Sequence, residues 1–401
     1  MLLAHELFEP ACLQNPYPLY DRLRGHAPVA QVGESPFFVA TSFDAVIEAT
    51  ARSQDFSSNL TATMWSQPDG TVSAFGMGEP GSPIHVLATA DDPAHAAHRK
   101  LVLPRMAAKR IAGLEPFIAD LTAELLAGAS GDLEWMSTLA DRLPMLVVAQ
   151  LLGLPAADVD RLVAWAYAST QLLDGLVDSE QLTASGIAAV ELGGYLTEQF
   201  GAASANPRED LLGDGDLAAY CAAERVSADV AVFMLIQLVG AGAESTASLI
   251  GSAVLILSRR PELAERLRHD PTEITPFLEE VLRFESPFRG HYRHVLVDAE
   301  LAGVALPADS HLLLLWGAAN RDEAVFDAPN EFRLERPNIK SHVAFGKGGH
   351  FCLGAALARL EARIVISALL STGSTISPAG DAEWQPSLLV RRLRRLPLSV
   401  R

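Results

Sequence analysis

Phe345-Gly346-Lys347-Gly348-Gly349-His350-Phe351-Cys352-Leu353-Gly354 is the run that decides how this chain is read. It encloses one cysteine among Gly346, Gly348, Gly349 and Gly354. Glycines admit backbone conformations closed to other residues, so a chain can wrap tightly around one atom. Beyond the cysteine, Leu353, Ala356, Leu357, Leu360, Ile364, Val365, Ala368 and Leu369 recur at spacings of three and four, an apolar helical face that starts at the sulfur. Backbone N–H groups aimed at a sulfur, together with a helix start, stabilise a thiolate. Two blander readings stand beside that one. A lone intracellular cysteine is usually an inert, buried small hydrophobe. A zinc site from His342, His350 and Cys352 is the other, although no second cysteine lies nearby and no CxxC pair occurs.

The order of Phe, Gly, Gly, His, Cys and Gly in this run resembles the haem-thiolate loop of the cytochromes P450, whose cysteine is the axial ligand of a haem iron. The resemblance continues through NPYPLYDRLR near the start, DPAHAAHRK, AGAEST, EEVLR, SPFRGHYRH and GAANRD, to SLLVRRLRRLPL at the end. It covers nearly the whole chain and has the flavour of soluble actinobacterial members. It implies the cytochrome P450 fold, mainly α with minor β-sheet, with haem b held between a long central helix and the cysteine loop. Cys352 would be the iron ligand, with Phe345 and Gly354 against the cofactor. Thiolate ligation pushes electron density onto iron and favours O–O cleavage, which separates oxygen activation from oxygen carriage.

Four further groups of residues bear on this reading. Glu280 and Arg283 lie three apart on one helix face, by themselves an ordinary surface pair worth under about 1 kcal/mol. In their place upstream of the cysteine they resemble the family's ExxR pair, buried and completed by an arginine, for which Arg336 in EFRLERP is the candidate; the role is structural. The run Ala241-Gly242-Ala243-Glu244-Ser245-Thr246 lies midway along an apolar pattern opened by Ser227 as N-cap. Small Ala241 and Gly242 would let cofactor and O2 come close, and an acid beside a hydroxyl can relay protons. The resemblance makes Glu244 and Ser245 that pair, with serine where threonine is usual. Thr246, about 100° further round the helix, is a substitute. A helical hydroxyl bonding back to a carbonyl is the common alternative. FMLIQLVGAGAES also allows the strand and glycine turn of a dinucleotide-binding fold, but Ser245 occupies the third glycine position and the run is longer than a strand.

The third group starts from His95 and Arg99, four apart and so on one face of a helix. The two propionates of a haem need cationic or donor partners, and the resemblance assigns them His95, Arg99, Arg293 and His350. Solvated charge explains any one of these alone. His98 reads as exposed, and His291 and His294 stay undecided. Last, Arg105, Lys109, Arg110, Lys347, Arg359 and Arg363 would gather on the cysteine side of the haem, either as a dock for an acidic electron carrier or as solvated helix faces.

With 31 Lys and Arg against 49 Asp and Glu, the net charge of −18 argues against nucleic acid or an anionic membrane as the main partner. Three cysteines, Cys12, Cys221 and Cys352, fit a reducing cytoplasm without a disulfide framework. The first twenty residues lack a basic and apolar leader, so neither signal peptide nor membrane anchor is expected. The apolar stretch 231–243 is interrupted by Gln237 and ended by Glu244, and reads as a buried central helix.

Length alone would suggest two or three domains, yet no repeat or linker divides the chain, and the resemblance implies one P450 domain over 1–401 with α-rich and β-rich subregions. Residues 28–41 predict a hairpin. Helical patterns follow at 94–128, 137–172, 180–200 and 227–258, with short strands at 292–316 and 388–399. The stretch 55–92, rich in Gly, Pro, Ser and Thr, reads as a long apolar loop, which in the family roofs the substrate pocket. Met64, Trp65, Phe75, Met77, Phe233, Met234, Val239, Phe288, Arg289 and Leu389 are pocket candidates by position, and core packing explains each equally well.

The activity implied is that of a monooxygenase that puts one atom of O2 into a hydrophobic small molecule. Its electrons would come from an iron–sulfur ferredoxin and an NAD(P)H-dependent ferredoxin reductase, separate proteins because no flavin or ferredoxin module fits this chain. Two alternatives remain, a peroxide-driven peroxygenase of the same fold and a haem-based gas sensor or ligand carrier without turnover. Substrate identity is not legible, since shape selectivity depends on side-chain placement.

Overall fold

A computed structural model describes residues 3–77, 84–176, 178–205 and 226–401; Cys221 lies outside them. The apolar run expected to be buried forms the 32-residue central helix Ala228–Arg259, capped by Ser227, whose hydroxyl accepts from Val230 N. Although it is long and apolar enough to cross a membrane, helices Arg142–Leu152, Val159–Gln171, Ser179–Ala205 and Ala355–Ser371 pack around it. Its first half meets Met145, Val148, Leu162 and Leu196. Its second half meets Ile364, Val365 and Leu369 of the helix after the cysteine, and Val281 of helix Ile274–Phe284. Glycines permit the tightest approach: a Cβ at Gly242 would come within 2.7 Å of the Val148 side chain.

Two long helical expectations split. The pattern at 94–128 becomes Ala94–Val102, Ala108–Gly113 and Glu115–Ala127, interrupted around Pro104, whose missing N–H and ring clash end a helix. The pattern at 137–172 becomes Arg142–Leu152 and Val159–Gln171, divided where Gly153 turns left-handed at φ 77° ahead of Pro155.

Strands β1 (Val29–Gln31), β2 (Phe37–Ala40), β3 (Phe56–Ser57), β4 (Ala62–Ser66) and β5 (Val72–Gly76) precede β6 (Gly131–Glu134). After the central helix come β7 (His291–Val295), β8 (Ala299–Leu301), β9 (Val304–Leu306) and β10 (His311–Leu314), then β11 (Ile376–Pro378), β12 (Glu383–Trp384), β13 (Leu393–Arg395) and β14 (Pro397–Val400). The largest sheet has the order β1-β2-β10-β7-β3. The predicted hairpin is β1–β2, and β2 pairs with β10 in parallel, Phe37 opposite His311. Alternation gives the sheet two apolar faces: Phe37, Val39, Tyr292 and Leu313 on one, Phe38, Ala40, Leu312 and Leu314 on the other.

The stretch 55–92 is not the structureless loop expected: β4 and β5 form a hairpin on which Trp65 and Phe75 stack at 5.0 Å. The turn after helix Val159–Gln171 is tied to this hairpin and to the C-terminal segment. Ser66 N donates to Gly175 O at 3.1 Å, and the buried Asp174 carboxylate accepts from Ser387 Oγ at 2.6 Å and Leu389 N at 3.3 Å. Gly175, at φ 64°, lies so close to the hairpin that a Cβ would fall 1.7 Å from Met64 O.

Candidate active site

The glycine-rich run folds as its composition suggests. Gly346 and Gly348 have φ of 71°, Cys352 N donates to Phe345 O at 2.9 Å, and helix Ala355–Ser371 starts three residues on. Although Cys352 is open to the cavity, enclosure by the surrounding protein pushes its thiol above its ordinary value, while the N–H groups of Gly354 and Ala355 and the charges of Arg99 and Arg359 pull it down. The thiolate donors expected are present, but that enclosure outweighs them. The zinc reading fails: His342 Nε2 is engaged with Glu279 at 3.0 Å, and among the described residues no metal-holding cluster of His, Cys, Asp and Glu occurs.

Above the sulfur opens a cavity lined by Phe345, Cys352 and Gly354 below, Ala241, Gly242, Ser245 and Thr246 of the central helix above, and His95, Arg99, Arg293 and His350 at one end. At that end Asp92 lies 3.3 Å from His95 Nδ1, but among the described residues Arg293 has no carboxylate in an ion pair with it. Arg293 is 7% exposed, and its guanidinium hydrogen bond runs to its neighbour's carbonyl, Tyr292 O, at 2.8 Å. Burial depresses it to about 10. His350, stacked on His95 at 3.9 Å, is brought down to about 4 by burial and by the charges of His95 and Arg293, and its Nδ1 is buried without a partner. Arg99 Nη1 donates to Phe351 O at 3.0 Å. A buried guanidinium and an orphaned imidazole nitrogen at a cavity wall call for an anionic guest, which suits the propionates of a haem whose iron would meet Cys352. His98, expected to be exposed, is 8% exposed, with Nδ1 lacking a partner.

On the central helix the expected acid and alcohol face different ways. Ser245 lines the cavity and donates back to Ala241 O at 2.8 Å. Glu244, one residue and so about 100° away, is 4% exposed and accepts from Arg392 Nε at 3.2 Å. Burial raises its carboxyl against the pull of Arg392. Thr246 lines the cavity beside Ser245. The dinucleotide-binding reading is overturned, because the whole segment is interior helix.

Glu280 and Arg283 are both fully buried and paired at 2.7 and 2.8 Å. Arg336 Nε reaches both Glu280 oxygens at 3.3 Å, and Arg333 N donates to the same carboxylate at 2.9 Å. Arg283 also holds the carbonyls of Asn320, Pro329 and Glu331, so this cluster braces the segment ahead of the cysteine loop.

Of the pocket candidates, only Phe288 lines the cavity. Met64 is buried in the hairpin, beneath Tyr292, whose hydroxyl accepts from Met64 N. Trp65 and Phe75 stack on each other and Met77 N bonds Thr61 O, away from the cavity. Phe233 is exposed, whereas Met234 and Val239 pack between helices. Arg289 points to Leu13 O, and Leu389 packs with the sheet-face cluster. The lining that sequence reasoning missed includes Leu238 and Leu249, seven residues before and four after Ser245, a spacing that repeats the helical face and was readable once Ser245 was taken as its centre. His291, left undecided, lines the cavity, and Trp316 and Glu361 were missed. Glu361 sits inside the apolar stripe after Cys352, and burial alone drives its carboxyl well above the ordinary range.

The basic residues on the cysteine side are partly spoken for. Arg359 grips Glu279 at 2.6 and 2.9 Å; burial would raise that carboxyl, but Arg359 and His342 bring it to about 2. Arg363 pairs with Glu115 at 2.9 Å. Lys109, Arg110 and Lys347 are exposed.

Comparison with known proteins bears on this arrangement. The family pattern described as "Cytochrome P450" matches residues 219–386. Over 399 residues the chain is 53% identical to Cytochrome P450 144 of Mycobacterium tuberculosis, covering 99% of this chain and 92% of that protein. It is 32% identical to vitamin D(3) 25-hydroxylase of Pseudonocardia autotrophica over 407 residues, 99% of this chain and 96% of that one. The crystal structure of Mycobacterium smegmatis CYP164A2 superposes with a TM-score of 0.87 at 28% identity, covering 98% of each chain.

Proposed function

Because this chain belongs to the cytochrome P450 family and is a haem-thiolate monooxygenase, we propose that it acts as one unit over residues 1–401, takes its electrons from a separate ferredoxin and NAD(P)H-dependent reductase, and oxygenates a hydrophobic small molecule. The observation that carries this reading is one cavity lined together by the glycine-wrapped cysteine, by small and hydroxyl residues of the central helix, and by the buried Arg293 and the imidazole of His350. When bound, haem supplies the oxygen-activating chemistry that thiolate ligation favours.

The residues around that cavity have distinct tasks. Gly354 and Ala355 N–H groups hold the Cys352 sulfur in place. Arg293 neutralises one propionate, and the neutral imidazole of His350 orients the cofactor by hydrogen bonding. Leu238, Leu249 and Phe288 give the cavity an apolar lining that excludes water and suits a hydrophobic substrate. Ser245 positions a proton at the distal wall by turning its hydroxyl from Ala241 O. Glu244, kept protonatable by burial, restores that proton after parting from Arg392. Lys109, Arg110 and Lys347 supply a basic face toward an acidic carrier.

The test is product formation with purified ferredoxin, reductase and NAD(P)H against a library of lipids and aromatic compounds, preceded by the Soret band of the reduced carbonyl adduct. A thiolate-type adduct with product stoichiometric with NAD(P)H is expected. Product from peroxide alone, or reversible ligand binding without product, would replace this reading by one of the two alternatives above. For the relay, Glu244→Gln should keep haem content and slow coupled turnover by about tenfold or more; unchanged coupled turnover removes Glu244 from it.

A further inference from the structure

His291 lines the cavity at its cationic end. As the first residue of β7, it stands two positions before Arg293, so both side chains leave the same face of the strand. Its ring rests against Phe288 at 4.9 Å and Trp316 at 5.9 Å. Trp316 Nε1 lies 2.6 Å from His291 Nδ1. An indole N–H can only donate, so Nδ1 must be the acceptor and the single imidazole proton must sit on Nε2. Protonating Nδ1 would set N–H against N–H. Enclosure of the ring by the protein, and then the charge of Arg293, also disfavour the cation, taking His291 down to about 3 although the side chain is open to the cavity. Among the described residues Nε2 has no hydrogen-bond partner, and the side chain is open to the cavity. A neutral donor of fixed direction thus stands beside a buried guanidinium that, among the described residues, has no carboxylate within ion-pair distance.

We propose that His291, locked as its Nε2–H tautomer by Trp316, donates a hydrogen bond to the haem propionate that Arg293 neutralises, and so is a positioning residue for the cofactor. The inference rests on the haem reading above. A donor on Nε2 adds direction where Arg293 adds charge, and Trp316 fixes that direction.

The experiment uses the haem-loaded protein and two variants. His291→Phe keeps a ring and removes the donor; it should shift the propionate bending mode in resonance Raman and speed haem transfer to excess apomyoglobin by about tenfold or more, the scale of one hydrogen bond to a charged group. Trp316→Phe keeps the imidazole and frees its tautomer, so the propionate mode should broaden and shift toward that of His291→Phe. An unshifted mode with parental haem transfer in His291→Phe overturns the proposal. So does a change confined to substrate-induced spin shifts, which would assign the donor to substrate. Should His291→Phe fail to fold, a propionate mode in Trp316→Phe identical to that of the parent protein overturns it alone. A parent protein that purifies without haem overturns both this inference and the function it rests on, whereas a haem-loaded parent with unaffected variants overturns only the inference.

Discussion

One carboxylate, Glu280, faces two guanidinium groups in a region closed to water. A buried pair is weak evidence of net stabilisation, but removing one partner leaves the other charge uncompensated at a cost of about 3 to 5 kcal/mol. Glu280→Gln should therefore lower the urea midpoint by a large fraction of the total stability and reduce haem retention, measured by denaturation and by absorbance of the purified protein. Glu361 presents the opposite case, a buried carboxyl with no counter-charge. Folding raises its proton affinity, so its contribution to stability is present below about pH 4 and is lost as pH rises. Glu361→Gln should match the parent protein in acid and exceed it in urea midpoint at pH 8. Cys352 and the Glu280 cluster were legible because their spacing is distinctive, whereas Glu361 was hidden by the apolar residues on either side of it in the same stripe. Arg392, the partner of Glu244, lies 148 residues away from it, a distance across which no local pattern speaks.

Among the elements, the turn that carries Asp174 and Gly175 is held by distant partners, because it ties the β4–β5 hairpin to the segment at Ser387 and Leu389. Burial pushes the Asp174 carboxyl up to about 7 against the pull of the Ser387 hydroxyl. Its stabilising effect is full below about pH 4, fades as pH climbs and is gone above pH 7, where the buried carboxylate must ionise. Asp174→Asn keeps an oxygen to accept from both donors and cannot ionise. It should be more stable than the parent protein at pH 8, on the order of a few kcal/mol, and its hydrogen exchange over 171–176 should be pH-flat after correction for intrinsic rates. A parent protein as protected at pH 8 as at pH 5 would contradict this. Helical periodicity gave the elements themselves well but passed over their interruptions. Pro104 and the Gly153-Leu154-Pro155 turn were in plain sight, yet apolar residues continue at helical spacing across both. The hairpin within 55–92 was obscured because its polar and glycine residues also make good loop.

For the molecule as a whole, charge and topology set the behaviour. Against a net charge of −18, the exposed Lys109, Arg110 and Lys347 form a basic exception, while Arg359 and Arg363 are partly neutralised by Glu279 and Glu115. Exchanging Lys109 and Lys347 for glutamate should slow reduction by ferredoxin about tenfold at low ionic strength, leave dithionite reduction unchanged, and weaken the salt dependence; equal rates with the carrier would remove these lysines from its dock. The sheet order was not legible from the sequence, because the inner strand β2 is apolar on both faces and its partner β10 lies far along the chain, so neither announces the other. That pairing has a consequence for biogenesis. Phe37 to Ala40 must wait for His311 to Leu314, which emerge 274 residues later, roughly 14 to 55 s at ordinary translation rates. Throughout that interval the ribosome holds out an unpaired edge reading Phe-Phe-Val-Ala, so the nascent chain, rather than the finished enzyme, is where chaperone demand should concentrate.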